Sequence, residues 1–453
     1  MIARRRSARA ALRRWMRGLR RWLRPRGELV DGPLWISRAA VIAAAVAAGL
    51  LVVGFTALSE AALAGFHALH ARWPWAPLLW TPLCTGGVVW LTRRWAPGAA
   101  GSGIPQVMVA LDPSLSPAQR RRFVSGRLSL SKLLLTAGGL LGGLSLGREG
   151  PSVQIAAGVM AEAGRLLPRR SAVTESGLLV AGGAAGIAAA FNTPLGGVMF
   201  AIEELSRTPE QRSPGLLVAG IVLAGLVAVS LHGNGAYFGV IHVPALSLAL
   251  LGPGLLVALA AGLSGGLFSR LLILSLTGRP RTALGRWRQA RPVSFAVACG
   301  LAVALLGLAT GGAVFGSGYS ATRGLLQGEA PLSWAYAPLK LLATWWTAWS
   351  GVPAGVFAPS LAIGAAVGHD VAVWTACPQA PALIALGMAG FLAAVTQAPL
   401  TAFIIVMEMV DGHGMVLSLM ACALVASGVG RLVSPPLYPT LARHQRRHRA
   451  GPP

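Results

Sequence analysis

Charge is scarce in this sequence. Charged residues make up 12% of its 453 residues, about half the share of an average soluble domain. Only two of them are lysines, Lys132 and Lys340, and only 14 are acidic. Hydrophobic residues make up 54%, and the mean hydropathy is +0.63. These values exclude an ordinary soluble globular domain.

Cysteine and histidine are also few. The four cysteines have no metal-binding or redox spacing, and the eight histidines are dispersed along the chain. The cysteines are Cys84, Cys299, Cys377 and Cys422. Neither a metal centre nor a cofactor is therefore expected.

Long apolar stretches take the place of charge. Runs that are long enough to span a bilayer, or nearly so, recur along the whole chain. They lie at about residues 39–59, 133–146, 176–202, 214–231, 244–268, 293–314, 380–407 and 413–430. Because glycine or proline interrupts many of them, the pattern predicts an all-α polytopic membrane protein with broken helices.

Arginine supplies nearly all of the net charge of +25 and is concentrated at the two ends and in a few loops. A basic N-terminal segment, 1–34, and a basic tail, 441–453, flank the apolar region. By the positive-inside rule both ends are expected in the cytoplasm, which requires an even number of crossings. Trp15 and Trp22 lie among the N-terminal arginines, as in an amphipathic helix on anionic lipid. Because topology explains the charge, nucleic-acid binding is not favoured.

The chain contains an internal repeat. The run 147–152 reappears at 355–360, a shift of 208 residues, and Lys132 and Lys340 precede the two runs at the same distance. Further matches in the same order join 101–103 with 316–318, 188–189 with 393–394, 194–195 with 399–400, and Glu203 with Glu408. The two membrane repeats are expected at 35–240 and 241–440.

Helices that are broken at matching places in two halves are typical of a transporter built from repeats. If each half crosses the membrane an odd number of times, the second half is inverted relative to the first. That arrangement agrees with two cytoplasmic ends. A parallel duplication with an even number of crossings in each half also fits.

Both copies of the central motif predict a helix that starts inside the membrane. Pro151 and Pro359 follow glycine-containing segments and are expected at the first helical position. The N-terminus of such a helix offers free N–H groups and about half a positive charge. The run 101–105 adds a third turn, with Ser102 as a hydroxyl donor. Several such ends together would bind an anion without a fixed cation, whereas isolated glycines would only permit close helix packing.

Glu149 lies between two uncharged stretches, where a carboxylate is costly unless it faces protein, water or an ion. Ionised, it can occupy an anion site; protonated, it can move away. Phe357 stands at its place in the second half. Glu203 has a counterpart in Glu408, which favours a structural helix-end contact. Glu204 has no counterpart, so it is the candidate for a proton relay, unless it is only the solvated end of a helix.

Together these residues resemble the CLC family of chloride channels and proton-coupled chloride antiporters. The runs 101–105, 147–151 and 355–359 match its three signature motifs, and Tyr438 stands at the position of its central-site tyrosine. The resemblance covers about residues 35–445. It implies a CLC-type inverted repeat of broken, tilted helices and a homodimer with one pathway in each subunit. The chain ends at Pro453 without cytoplasmic CBS domains, which resembles bacterial members, so a bacterial inner (plasma) membrane is expected.

The resemblance also implies roles for single residues. The anion-binding residues would be Ser102, Gly103, Ile104, Val356, Phe357 and Tyr438. Glu149 would be the gate and proton carrier, and Glu204 the inner proton glutamate. Because passive members generally lack an ionisable residue at the latter position, exchange of chloride for protons is expected. A passive voltage- or pH-gated chloride channel is the alternative.

An enzyme that uses Glu149 and Glu204 as acid and base is disfavoured. No metal cluster or pairing of a nucleophile with histidine accompanies the two carboxylates in the sequence. The expected partners are therefore chloride, protons and membrane lipid.

Overall fold

A computed structural model of the chain consists of α-helices joined by loops. It describes residues 32–168, 173–205, 214–233, 235–240, 250–278, 282–329 and 332–449. The predicted N-terminal amphipathic helix with Trp15 and Trp22 lies outside these residues.

The helices of the two halves follow each other in the same order. The first half contains α1 (Gly32–Arg72), α2 (Pro77–Trp95), α3 (Ile104–Ala110), α4 (Pro117–Arg120), α5 (Gly126–Leu141), α6 (Glu149–Ala163), α7 (Glu175–Phe191), α8 (Pro194–Phe200) and α9 (Pro214–His232). The second half contains α10 (Leu251–Thr277), α11 (Ala283–Ala290), α12 (Pro292–Ala309), α13 (Tyr319–Gln327), α14 (Tyr336–Ser350), α15 (Phe357–Trp374), α16 (Ala380–Thr396), α17 (Pro399–Met409) and α18 (Val416–Val433). The last helix is α19 (Leu437–Arg449).

Apart from the short helices α4 and α11, each helix of the first half has a counterpart in the second. The pairs are α1 with α10, α2 with α12, α3 with α13, α5 with α14, α6 with α15, α7 with α16, α8 with α17, and α9 with α18. α7 and α16 are buried along nearly their whole length and form the centre of the molecule.

Among the described residues, five helices are long and apolar enough to cross a membrane. They are Trp35–Arg72, Leu251–Thr277, Pro292–Ala309, Phe357–Trp374 and His413–Val433. Large apolar side chains such as Leu79, Leu83 and Leu432 are exposed on the surface, as expected where lipid surrounds the protein. The prediction of an all-α polytopic membrane protein is confirmed.

Two cavities lie at opposite ends of α12. The Tyr438 cavity, of about 260 Å³, is lined by Arg288, which precedes α12, and by Ser102 and Tyr438. The Arg148 cavity, of about 850 Å³, is lined by Gly311, which follows α12, and by Arg148. The 18 residues of α12 span about 27 Å, close to the thickness of a hydrocarbon core. The cavities therefore approach the protein centre from opposite faces.

Equivalent helices run in opposite directions between these cavities. α1 runs into the Arg148 cavity, where it contributes Glu60, whereas α10 runs into the Tyr438 cavity, where it contributes Leu276. α2 leads to Ala100 of the Tyr438 cavity, whereas α12 leads away from it to Gly311. The halves are therefore inverted, as an odd number of crossings predicted, and the parallel arrangement is wrong.

The two halves pair directly at Gly147 and Gly355. The Gly147 N–H donates to the Gly355 carbonyl at 2.8 Å, and the Gly355 N–H donates to the Gly147 carbonyl at 3.1 Å. The two glycines are equivalent under the 208-residue shift. This reciprocal antiparallel pair therefore lies on the local two-fold axis between the halves.

Lys132 and Lys340 obey the same symmetry. Both are fully buried, and Lys132 donates to the Ala99 carbonyl at 2.8 Å while Lys340 donates to the Val314 carbonyl at 2.9 Å. Each also binds the carbonyl of the first glycine in the neighbouring Gly-Ser-Gly run. The two lysines therefore hold the loops that precede α3 and α13.

Candidate site at the broken helices

Three helices begin inside the protein around the central motifs. α3 begins at Ile104, α6 at Glu149 and α15 at Phe357. Pro151 and Pro359 are the third residues of their helices, so their predicted place at the first helical position is wrong. The first four N–H groups of a helix have no partner within it, so proline in the third position costs no hydrogen bond.

Glycine is required where α3 and α6 begin. Gly103 has a φ of +113°, and a Cβ there would overlap the Gly150 carbonyl oxygen. A Cβ at Gly150 would in turn overlap the Ser102 hydroxyl oxygen. The close approach of these backbones places Ser102 against the first turn of α6.

The Glu149 side chain reaches the start of α15, a helix of the second half. Glu149 is 1% exposed, and its Oε2 accepts the Ala358 N–H at 3.3 Å. Its Oε1 has no hydrogen-bond partner among the described residues. The carboxylate folds back against Gly147, where a Cβ would overlap Oε2. It thus occupies the N-terminus of α15, a place that favours negative charge.

Ser102, Val356 and Tyr438 line the Tyr438 cavity together. The hydroxyl oxygens of Ser102 and Tyr438 are buried and lie beside each other, and neither bonds to any other group of the described chain. Phe357 is 1% exposed, and its ring centre lies 5.5 Å from that of Phe191. Two hydroxyl donors and the start of α15 therefore converge where an anion was predicted.

Gly103 and Ile104 lie at the start of α3. Unlike Ser102 and Tyr438, they offer no side-chain donor to an anion. The Gly103 N–H already donates to Gln106 Oε1 at 3.0 Å, so the chain itself supplies its acceptor. The Ile104 side chain is fully buried. Their role in anion binding stays a prediction, and the geometry favours Ser102 over Gly103.

Glu203 and Glu204 lie on one π-helical turn, Ala201–Leu205, that follows α8. Glu203 accepts the N–H groups of Leu400 and Thr401 at 3.2 and 2.7 Å, which confirms the predicted helix-end contact. Glu204 is buried, with 5% of its surface exposed. The interpretation of Glu204 as a solvated helix end is therefore wrong.

Arg148 donates hydrogen bonds to a set of groups that were not predicted from the sequence. Its side chain is 10% exposed, and Nη1 donates to Glu60 Oε1 at 2.8 Å and to the Thr56 carbonyl at 3.3 Å. Nη2 donates to the Tyr237 hydroxyl at 3.2 Å. One signal was present, because Glu60 is the only charged residue between Arg38 and Arg72. Among the described residues, no group of three or more potential metal ligands occurs.

Comparison with known proteins gives a consistent result. Residues 84–431 match the family described as "Voltage gated chloride channel". The chain is 31% identical over 386 residues to the H(+)/Cl(-) exchange transporter ClcA of Citrobacter koseri, which covers 82% of this chain and 78% of that protein. It is 32% identical over 380 residues to the putative chloride channel protein ClcB-like of Ralstonia nicotianae, with coverages of 79% and 83%.

Solved structures show the same fold. The X-ray structure of a slow cyanobacterial Cl-/H+ antiporter is similar with a TM-score of 0.77 and 25% identity, over 90% of this chain and 98% of that one. A CLC-type fluoride/proton antiporter shares the fold with a TM-score of 0.71 at 22% identity.

Proposed function

The chain belongs to the voltage gated chloride channel (CLC) family of integral membrane proteins, and we propose that this member exchanges chloride for protons across its membrane. The relative from Citrobacter koseri carries the name of such an exchanger, and the similar cyanobacterial structure is that of a Cl-/H+ antiporter. The observation that carries the proposal is the contact between the Glu149 carboxylate and the Ala358 N–H. The Glu149 carboxylate, which can take up a proton, lies at the helix start where we propose that chloride binds.

The exchange follows from competition for the start of α15. Chloride enters through the Tyr438 cavity and accepts hydrogen bonds from the Ser102 and Tyr438 hydroxyls and from the N–H groups of Val356 and Phe357. Ionised Glu149 competes for the same positive helix end. A proton neutralises the carboxylate, which then leaves Ala358 and opens the way toward the Arg148 cavity. Proton binding and chloride binding are therefore coupled at one position.

Glu204 supplies the second carboxylate that a separate proton path needs. Both Glu204 and Glu149 are buried. In the proposed path the proton passes between the two glutamates within the protein, whereas chloride passes through the two cavities. Because Met409 stands at the place of Glu204 in the second half, this path exists once in each chain.

The proposal is tested by measuring chloride and proton flux together in vesicles that contain the purified protein. A proton gradient alone should drive chloride uphill in the wild type. Glu149→Ala should abolish proton flux and leave passive chloride flux, because the anion site keeps its donors. Loss of both fluxes in a folded variant would count against Glu149 as gate.

A passive chloride channel is the second candidate, since the relative from Ralstonia nicotianae is named a putative channel. A channel would not move chloride against its gradient when only a proton gradient is applied. Transport rather than catalysis is the proposed activity in either case.

The orientation and the assembly belong to the same proposal. Arg288, His444 and His448 line the Tyr438 cavity, which therefore faces the cytoplasm by the positive-inside rule, with both chain ends on that side. A bacterial inner membrane, with lipid against the exposed apolar side chains, is the proposed location. We propose that the chain consists of a basic cytoplasmic N-terminal segment (1–34), two membrane repeats (35–240 and 241–440) and a basic cytoplasmic tail (441–453). Each subunit of a homodimer would hold its own pathway.

A further inference from the structure

The Arg148 cavity contains buried donors that no acceptor of the described chain uses. Arg148 Nε, Thr56 Oγ1 and Ser59 Oγ are buried and have no hydrogen-bond partner among the described residues. Many other helix hydroxyls bond back to the carbonyl four residues earlier, as Thr85 and Thr92 do at 2.6 Å. The hydroxyls of Thr56 and Ser59 do not, although both residues line the cavity. Unused donors beside a guanidinium indicate that the cavity accommodates an acceptor.

Glu60 is the only carboxylate that lines this cavity in the described part of the chain. Its side chain is 64% exposed, whereas that of its partner Arg148 is 10% exposed. An ion pair with so exposed a partner is weak, because water and salt screen it. A small anion dissolved in the cavity can therefore compete with Glu60 for the guanidinium.

The other titratable groups at the cavity are few. α1 contributes His67 and His70 besides Glu60, and Tyr237 from a loop and Tyr319 from the start of α13 complete the set. Since neutral or protonated histidines do not repel an anion, Glu60 is the group whose negative charge opposes anion binding. Glu149 follows Arg148 directly in the chain, so charge at Arg148 also affects the gate.

We propose that Arg148, Thr56 and Ser59 form a second binding site for a monovalent anion. The Glu60 carboxylate pairs with the Arg148 guanidinium until an anion replaces it there or a proton neutralises it. The site lies in the cavity opposite Tyr438, beyond the gate. Two carboxylates in series, Glu60 and Glu149, then compete with the anion along one route. The binding itself does not depend on exchange; its use in transport rests on the proposed function.

Binding is tested with bromide as the probe, by anomalous X-ray diffraction from crystals of the full chain. Bromide should occupy a position against the Arg148 guanidinium, and its occupancy should rise in Glu60→Gln, which keeps the size of the side chain and removes its charge. Ser59→Ala removes one donor without touching the ion pair and should lower the occupancy. Absence of bromide from Arg148 in both the wild type and Glu60→Gln would overturn the proposal.

Transport gives a second measurement. In vesicles, Glu60→Gln should lower the KM for chloride on the Arg148 side by up to about fivefold, the range expected when a weak competing ion pair is removed. Acidification of that side should lower the wild-type KM more than that of the variant, because Glu149 takes up a proton in both proteins whereas Glu60 takes one up only in the wild type. Glu329→Gln, an exposed carboxylate outside the cavity, is the matched control and should behave as the wild type.

The two proposals can fail separately. Exchange without bromide at Arg148, and with the same KM in Glu60→Gln, would overturn the second site alone. Suppose that bromide binds at Arg148 but a proton gradient does not drive chloride uphill. That result would support the second site and contradict the exchange of chloride for protons.

Discussion

Glu203 and Glu408, which stand 205 residues apart, each cap the helix that leads to the other. Glu203 accepts the N–H groups of Leu400 and Thr401 at the start of α17, and Glu408 lies on α17. Glu408 accepts the N–H groups of Leu195 and Gly196, at 3.1 and 2.7 Å, at the start of α8, which leads to Glu203. The repeat therefore places one carboxylate of each half on a helix start of the other.

This reciprocity predicts equal costs for equivalent changes. Glu203→Gln and Glu408→Gln each weaken two hydrogen bonds to a charged acceptor and should each lower the free energy of unfolding by about 1–3 kcal/mol. Unfolding of the two variants in detergent, measured side by side, checks this. Neither change should alter the ratio of chloride to protons, and an altered ratio would mean that these residues take part in proton transfer.

Glu204 is expected to act in proton transfer alone. Glu204→Gln keeps the size and the hydrogen-bonding capacity of the side chain but cannot release a proton. Proton flux should fall at least tenfold while passive chloride flux persists. Paired flux measurements with Glu203→Gln as the neighbouring control decide this, since equal effects in both variants would contradict a specific role for Glu204.

The Ser102 and Tyr438 hydroxyls should contribute to anion affinity. Each removed donor should weaken bromide binding by about threefold to tenfold, the usual net value of one hydrogen bond. Ser102→Ala and Tyr438→Phe should leave the fold intact, because the two hydroxyls lie beside each other and bond to no other group of the described chain. Calorimetric titration with bromide measures the effect, and unchanged affinity in both variants would remove the hydroxyls from the anion site.

Gly103 should not tolerate a side chain. Gly103→Ala must place a Cβ over the Gly150 carbonyl at a φ of +113°, so it should cost more than about 2 kcal/mol or prevent folding. Gly54→Ala is the matched control, because a Cβ there meets nothing within 4 Å. Thermal unfolding of the two variants should differ clearly, and similar melting temperatures would mean that the starts of α3 and α6 can separate.

Acid should loosen the end of the C-terminal helix α19. Burial raises the pKa of Asp112, but hydrogen bonds from Ser114 and the charges of Arg446 and Arg120 outweigh it, so the pKa lies below its ordinary value. The Asp112–Arg446 pair, at 2.7 Å, is therefore present at neutral pH and is lost as the pH falls through that lowered pKa. Arg446 is half-exposed, so the pair should contribute less than about 1 kcal/mol.

Asp112→Asn tests this effect of pH. The variant should show faster amide exchange in α19 than the wild type at pH 7, and the difference should vanish in acid, where the wild-type carboxyl is protonated. A difference that persisted at acidic pH would contradict the assignment to this carboxylate.

Much of this architecture was predictable because it depends on pattern. The duplication was visible at 147–152 and 355–360, and a carboxylate between two uncharged stretches made Glu149 a candidate site residue, which the structure shows to be buried. The exact helix starts were not predictable, because glycines without side chains let α6 begin two residues before Pro151. The contact between Glu60 and Arg148 joins residues 88 positions apart, and only tertiary packing brings them together.

The pair formed by Gly147 and Gly355 limits how this protein can change conformation. Both glycines are buried, so a motion that separated the two repeats here would leave two backbone hydrogen bonds unmade away from the surface. Rotation of the Glu149 side chain breaks only its contact with Ala358. For the proposed exchange, rotation of one side chain is therefore the less costly motion, and the speed of transport is expected to depend on it rather than on the movement of a whole repeat.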